Sequence, residues 1–457
     1  MESSDARVNA HFKKMTETNV AKLIVVLGIP TIISMLITNI YNLADTYFVG
    51  TLGKSEQGAT GVLFTLQCII QAVAFMMGHG SGVNVSAHLA RRDVDKASKY
   101  ATGAFTSGMF IGLVLMVFGL IFITPFMYLL GSTDTILPYA KEYGMWVLIS
   151  APFMIGSLVI NNIMRYEGKA FYAMFGLVSG GLLNILGDYI FINVMHLGVF
   201  GAGMSTGISQ IISFGMLIFF HWKKAQSRIS IKDITFDPKL HFTIIRVGFP
   251  SLIRQGLTSI SNGIMNNVCK PFGDEAIASV SVVNKLTQFA ISLGLGIGQG
   301  FQPVSSFNYA AKRYDRVKKG FIFTTLFGLA LVGTIALIFL IIPKGVAGLF
   351  SKDEDVIKIA SEGLKYAALG VIFLPISVTT NMLYQSIRKA EIASILASLR
   401  SGLLYIPAIY ILNATAGLTG LLWSQPIANI LSAIISLPFM IYFLLKKYEN
   451  KEVLELS

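Results

Sequence analysis

Twelve apolar stretches, near 20–52, 58–89, 97–129, 137–164, 170–193, 199–222, 242–271, 276–308, 318–343, 356–387, 391–413 and 417–445, alternate with polar connectors in this 457-residue chain. About 20 apolar residues cross a bilayer as a helix. In lipid every backbone N–H and C=O must be satisfied within protein, so runs of this length are restricted to transmembrane helices. The fold class expected is therefore an all-α polytopic membrane protein. Composition agrees, with 54% hydrophobic and 13% charged residues, where a soluble domain carries about 25% charged. The first stretch contains Pro30 and is long for one span, which predicts a tilted, kinked helix. No cleavable signal peptide is expected, because residues 1–22 are polar and carry Arg7, Lys13 and Lys14. Cys68 and Cys269 fall in apolar stretches without metal-type spacing, so neither a disulfide framework nor a zinc site is expected.

The net charge of +12 reports topology, not nucleic acid. With the N-terminus placed inside, segments on that side hold 26 of the 36 Lys and Arg, and the opposite loops hold seven. Arg91, Arg92, Lys96 and Lys99, the run from Lys223 to Arg246, and Lys312 to Lys319 all fall inside. By the positive-inside rule both termini are cytoplasmic.

The chain also repeats itself. At a constant shift of 220, Gly28, Pro30, Thr38, Ile40, Asn42 and Gly53 meet Gly248, Pro250, Thr258, Ile260, Asn262 and Gly273. The register continues with Gly78, Gly80, Ser86, Ala90, Asp95 and Lys99 on Gly298, Gly300, Ser306, Ala310, Asp315 and Lys319. At shifts of 219 to 223, Arg165 meets Arg388, Gly181 meets Gly402, and Gly198 and Gly201 meet Gly417 and Gly420. Six helices per repeat is an even number, so both halves enter the membrane in the same direction, as a parallel repeat with a pseudo-two-fold along the membrane normal. The expected organisation is a cytoplasmic segment 1–19, an N-lobe 20–222, a polar inter-lobe linker 223–241, a C-lobe 242–445 and a cytoplasmic tail 446–457. Two six-helix bundles around a central cleft suit an alternating-access carrier better than a channel.

Charge at membrane depth is costly and marks function by default. Of 24 acidic residues, only Asp45 and Asp188 sit well inside apolar stretches. Ser34, Thr38, Tyr41 and Asp45 recur at helical spacing and form one polar stripe on the first helix. Asn184 and Asp188, four apart, share a face of the fifth; the sixth offers Ser205 and Thr206 behind Gly201 and Gly203. A cluster of Asp45, Asn184, Asp188 and Thr206 is all-oxygen and suits a hard cation such as Na⁺; two neighbouring carboxylates can equally share a proton. In the second half the counterparts of the acids are Met265 and Ile409. Arg254, Lys285 and Arg400 lie in second-half spans, with Lys285 the foremost candidate to line the cleft. His79 and His88 suit packing better than proton relay. GLGIGQG at 294–300 follows no strand, so its glycines serve helix packing, and no Walker motif points to nucleotide.

Pro30, Asp45 in DTYFVGTLG, Asn184-Ile-Leu-Gly-Asp188, and Gly198-Val-Phe-Gly-Ala-Gly203 leading to Thr206 together resemble the MATE (multidrug and toxic compound extrusion) transporters of the prokaryotic kind, over about residues 20–447. The resemblance implies a cation-coupled antiporter that exports organic, mostly cationic compounds in exchange for H⁺ or Na⁺. It implies a cation site at Asp45, Asn184, Asp188 and Thr206, with Tyr41 and Asn161 lining the same cavity and helix 1 bending at Pro30. The chain departs from the branch that carries a second-half carboxylate on helix 7, where it has Arg254, Met265 and Asn266. Coupling is therefore expected in the first half alone. The rival within transport is a flippase for lipid or lipid-linked oligosaccharide, which the basic second-half residues would suit. An intramembrane enzyme would need a nucleophile–base or metal cluster, and none is visible. The expected partners are small-molecule drugs and membrane lipid, without nucleic acid, nucleotide or cofactor beyond the coupling ion. The chain is expected to act as a monomer in the plasma membrane.

Overall fold

The computed structural model describes residues 4–446. Lys447 and Lys451 of the expected tail lie outside the described residues. Among those described there are helices and no strand. The chain opens with α1 (Ser4–Glu17). Next come α2 (Val20–Gly50), α3 (Lys54–Leu89), α4 (Val94–Ile121), the short α5 (Ile123–Leu129) and α6 (Leu137–Tyr166). Then come α7 (Ala170–Asp188), extended by a π-helical turn at Tyr189–Val194, and α8 (Gly198–Lys224). The second half runs through α9 (Pro238–Cys269), α10 (Asp274–Ala310), α11 (Tyr314–Ile341), α12 (Pro343–Gly348), α13 (Glu354–Val371), α14 (Leu374–Ser386), α15 (Ala390–Ser398) and α16 (Tyr405–Leu445).

Among the described residues nine helical segments are long and apolar enough to span a membrane, and α13 with α14 makes a tenth, bent by 46°. One of the nine, Ala390–Leu445, is 56 residues long, about 84 Å of helix at 1.5 Å per residue. It is broken at Gly417 (φ 56, ψ −135), and so supplies two spans. The last is α9, long enough at 32 residues but diluted by Arg246, Arg254 and Gln255. The fold is thus an all-α membrane protein of twelve spans in two bundles.

Two expected spans are not continuous. The stretch 97–129 divides into α4 and α5, and 356–387 divides into α13 and α14. In the second case Pro375 sits in the first turn of α14, where it lacks an N–H to continue α13. Pro30, in contrast, lies inside an unbroken α2. The polar N-terminal segment is also more than a tail. His11 and Phe12 of α1 pack on Phe307, with ring centroids 5.3 and 5.8 Å apart. Asn308 Nδ2 donates to the Met15 carbonyl (3.1 Å), and Arg316 donates to the carbonyl of Thr18 (2.5 Å). Cys68 and Cys269 are both buried free thiols.

The backbone carries the duplication. Arg92 and Lys312 take the same left-handed turn (φ 61 and 59), as do Gly198 and Gly417 (φ 60 and 56). The Asn161 amide donates to the Ala173 carbonyl (2.9 Å) and the Asn381 amide to that of Ala393 (2.5 Å), 220 residues on in both donor and acceptor. This constant register corrects the pairing of Arg165 with Arg388. Arg388 (φ 63) occupies the turn position of Gly168 (φ 73), and the counterpart of Arg165 is Gln385. A second π-helical turn at Leu399–Leu403 widens α15 by one residue, which accounts for the shift of 221 beyond it.

The chain forms two compact units. One is built on Ile33–Gln255, and the other on the chain from Gly256 onward together with Ala10–Ile32. The boundaries at Ile33 and Gly256 fall inside helices, α2 and α9, and the polar segment 223–241 lies within the first unit. That polar segment is tied to the first unit. The fully buried Glu167 carboxylate accepts from the backbone of Gln226 (2.6 Å) and Ser227 (2.9 Å) and from the Ser227 hydroxyl. Ser98 Oγ accepts from Arg228 N (2.9 Å), and Thr102 Oγ1 accepts from Ser230 N (3.2 Å).

Within the first unit α3 and α9 cross at glycine. A Cβ on Gly248 would lie 1.8 Å from the Met76 carbonyl oxygen, and one on Gly80 would lie 2.0 Å from that of Ile244. In the second unit the repeat counterparts meet likewise, a Cβ on Gly300 falling 2.5 Å from Gly28 Cα. Small residues let backbones approach this closely in membrane bundles.

Candidate functional site

The two deep acids belong to one hydrogen-bonded chain inside the first unit. It starts on α7, where Asn184 Nδ2 lies 3.4 Å from Asp188 Oδ1 and 3.2 Å from both Ser205 Oγ and Thr206 Oγ1 on α8. Thr206 Oγ1 lies 3.1 Å from the Tyr143 hydroxyl on α6, which donates to Asp45 Oδ1 on α2 at 2.8 Å. Donor counting fixes the direction: Asn184 N–H to Thr206, Thr206 O–H to Tyr143, Tyr143 O–H to Asp45. Ser205 Oγ in turn donates to the Asn184 carbonyl (2.9 Å). All six residues are buried, with Asp188 fully so and Asp45 at 9% exposure.

Local sequence explains how four helices converge here. A Cβ on Gly203 would lie 2.9 Å from Tyr143 Cα, and one on Gly187 would lie 2.5 Å from Ser205 Oγ. Those two glycines draw α8 against α6 and α7, within reach of short hydroxyls. The π-helical turn begins one residue after Asp188; such turns recur at functional sites, where they re-aim side chains.

The network leaves acceptors open. Among the described residues Asn184 Oδ1 and Asp188 Oδ2 are buried without a hydrogen-bond partner. Carboxylate, amide and hydroxyl oxygens are the donor set of a hard monovalent cation, and the same carboxylates can carry a proton. Two ionised carboxylates in one buried network repel each other, and an added positive charge relieves that repulsion. Among the described residues no group of three or more His, Cys, Asp and Glu gathers as a transition metal would require.

The structure thus joins Asp45, Asn184, Asp188 and Thr206 and adds Tyr143 and Ser205. Tyr143 is one of 17 tyrosines, and nothing in its sequence neighbourhood singles it out. The other candidates stand apart from the chain of bonds. Tyr41 packs its ring on Gly181 and bonds Gln210. Thr38 donates to the Ser34 carbonyl (2.9 Å), one turn back on its own helix. Asn161 spends its amide on Ala173, a scaffold bond that the second half repeats. Arg254 is half-buried in the first unit, near Arg165 and Tyr166. Lys285, the foremost second-half candidate to line the cleft, is an exposed residue of α10.

Tyr143→Phe removes the middle link while keeping the ring. The expected result is a several-fold slower turnover with an altered pH or Na⁺ dependence, against unchanged expression and thermal stability. Wild-type ion dependence in that variant would leave Tyr143 a packing residue.

The MatE family profile matches this chain twice, over residues 30–190 and 250–411, in the register of the internal repeat. The chain belongs to the MatE family. It is 26% identical over 431 residues to the multidrug export protein MepA of Staphylococcus haemolyticus, covering 94% of each chain. With the MepA of Staphylococcus aureus (strain MSSA476) it shares 26% identity over 422 residues, 92% of each. A solved structure of a multidrug resistance MATE family transporter of the MOP superfamily, in an outward-facing conformation, superposes with TM-score 0.88 at 24% identity. That likeness covers 95% of this chain and 98% of the other and concerns the fold.

Proposed function

We propose that this MatE-family chain is a secondary antiporter of the plasma membrane that exports organic, mostly cationic compounds in exchange for H⁺ or Na⁺. The observation that carries this reading is the buried chain from Asp45 through Tyr143, Thr206 and Asn184 to Asp188. Relatives named multidrug export proteins along more than nine-tenths of the chain support the substrate class. Asp45 and Asp188 bind the coupling ion, with Asn184 and Thr206 as neutral ligands or relays. In one-for-one exchange with an organic cation no net charge crosses, so the ion's concentration gradient drives export, about 1.4 kcal/mol per tenfold; for a neutral compound the potential adds about 2.3 kcal/mol per 100 mV. Ion and drug need not touch; each need only favour a different state of alternating access. The division between units falls two residues past Pro30, which supports Pro30 as the place where α2 flexes. The second half, with Met265 and Ile409 in place of the acids, carries no coupling ion.

The test is efflux of a fluorescent organic cation from energised cells or vesicles, with ΔpH and ΔNa⁺ imposed separately. Export driven by neither gradient would overturn the antiport reading, and selective movement of a lipid-linked pyrophosphate would replace it with flipping. The basic content of 90–100, 223–241 and 309–319 supports a cytoplasmic location for both termini. Cysteines introduced there should resist impermeant thiol reagents applied outside intact cells, and ready labelling from outside would invert the topology.

A further inference from the structure

Residues 222–246 turn large apolar side chains outward from a stretch that is otherwise polar. Trp222, Ile231 and Phe236 are 80, 87 and 90% exposed, and Phe242 is exposed as well. The segment does bury an apolar residue where the first unit offers a core, since Ile229 packs onto the cluster of Ile160, Met164 and Leu217. Ile231 and Phe236 are held away from it.

Slack in the chain does not account for this. Thr102 Oγ1 donates to the Arg228 carbonyl (3.2 Å) and accepts from Ser230 N. The His241 imidazole closes the far end, with Nε2 2.9 Å from the Thr235 carbonyl oxygen and Nδ1 3.1 Å from Ser107 Oγ. The Glu167 carboxylate grips Gln226 and Ser227 at the near end. The segment is thus fastened along its length to α4 and to the turn after α6. Its outward side chains are fixed features of the surface.

Two observations say what they face. The exposed sides of α8, at Ile211, Ile218, Phe219 and Trp222, and of α9, at Phe242, Ile245 and Phe249, are the apolar stripes of consecutive spans. Ile231 and Phe236 lie between the ends of those stripes in the chain. Charge is the second observation. Lys223, Lys224, Arg228, Lys232, Lys239 and Arg246 are all exposed, against two acids in the same stretch, Asp233 and Asp237. Lys223 Nζ folds back to 4.4 Å from the Phe219 ring centroid, at the last lipid-facing turn of α8. Apolar side chains ringed by Lys and Arg suit a segment that lies in the interface of an anionic leaflet.

We propose that residues 222–246 form an interfacial anchor that binds the anionic phospholipid headgroups of the leaflet beside it. Ile231 and Phe236 enter the boundary between headgroups and acyl chains, and the Lys and Arg side chains meet the phosphates. The linker between the repeats thereby fixes the depth of the first unit in the membrane. This role depends neither on the coupling ion nor on the exported compound.

Phe236→Cys, labelled with the fluorophore NBD in the full-length protein, reads this in nanodiscs of phosphatidylcholine with or without phosphatidylglycerol. Cys68 and Cys269 are buried, and unaltered protein taken through the same labelling gives the blank. With phosphatidylglycerol present, a lipid carrying a doxyl group high on its acyl chain should quench the probe. Acrylamide in the water should then quench it about threefold less than in phosphatidylcholine alone. Lys232→Glu combined with Lys239→Glu should abolish that difference between lipids while gel-filtration behaviour stays unchanged. Ile231→Cys should report the same pattern from a second position. Quenching by acrylamide alone, at both positions and in both lipids, would mean that the patch faces water or receives a soluble protein, and would overturn the proposal. Shielding from both quenchers, which means burial against protein, or equal quenching in the two lipids would overturn it too.

Discussion

Asp45→Asn and Asp188→Asn are each expected to abolish uphill efflux while leaving the protein inserted and folded. Asparagine keeps the size and hydrogen-bonding reach of aspartate, so the bond from Tyr143 to position 45 and that from Asn184 to position 188 can persist. What disappears is the negative charge, and with it the capacity to bind Na⁺ or exchange a proton. In one-for-one exchange with a monovalent organic cation the potential cancels, and a tenfold inward gradient of the coupling ion, about 1.4 kcal/mol, supports roughly a tenfold concentration ratio of exported compound. Each variant should collapse that ratio toward unity, and the double variant should be no worse, because one network is broken twice. Wild-type accumulation ratios from both well-expressed variants would remove these residues from coupling.

Gly248→Ala and Gly80→Ala should be among the most destabilising single changes in the chain. The atoms a new methyl would strike, 1.8 and 2.0 Å away, are backbone carbonyl oxygens of Met76 and Ile244, which cannot rotate aside as a side chain could. Separating α3 from α9 is the remaining recourse, at a cost of about 3 kcal/mol or more. Thermal unfolding in detergent, followed by gel filtration, should show a lowered midpoint or loss of the monodisperse peak. Gly61→Ala is the control, since a Cβ there has nothing within 4 Å. Equal stability of Gly248→Ala and Gly61→Ala would mean that the close crossing has no energetic role.

Where the sequence was legible, a rare residue stood in a hostile place. Asp45 and Asp188 announce themselves because charge is scarce at membrane depth, and Asn184 because it lies one helical turn from Asp188. Tyr143 gives no such signal: a tyrosine in an apolar helix is ordinary, and its role follows from Gly203 drawing α8 against α6. Lys285 is legible as the aspartates are, by its depth along the chain, and it stands exposed on α10. Arg165 and Arg388 look paired because both are arginines near a helix end, and the backbone angle at Arg388 assigns it instead to a glycine turn. Helix α1 was illegible for another reason. Its docking depends on Phe307, Asn308 and Arg316, some 300 residues away.

The exchange of α2 and α9 between units has a consequence for how the protein is made. The first unit includes the start of α9 up to Gln255, so when the ribosome has delivered α8 that unit is still missing a piece of its wall. The second unit in turn includes Ala10–Ile32, which was inserted before any of its other spans. Early helices must therefore wait in lipid, partly unpartnered, until the seventh arrives. A gene cut at the polar stretch after α8 yields two fragments, each lacking a strip of its own core. The ancestral fusion of two six-helix proteins is, in this arrangement, a step that synthesis cannot easily retrace.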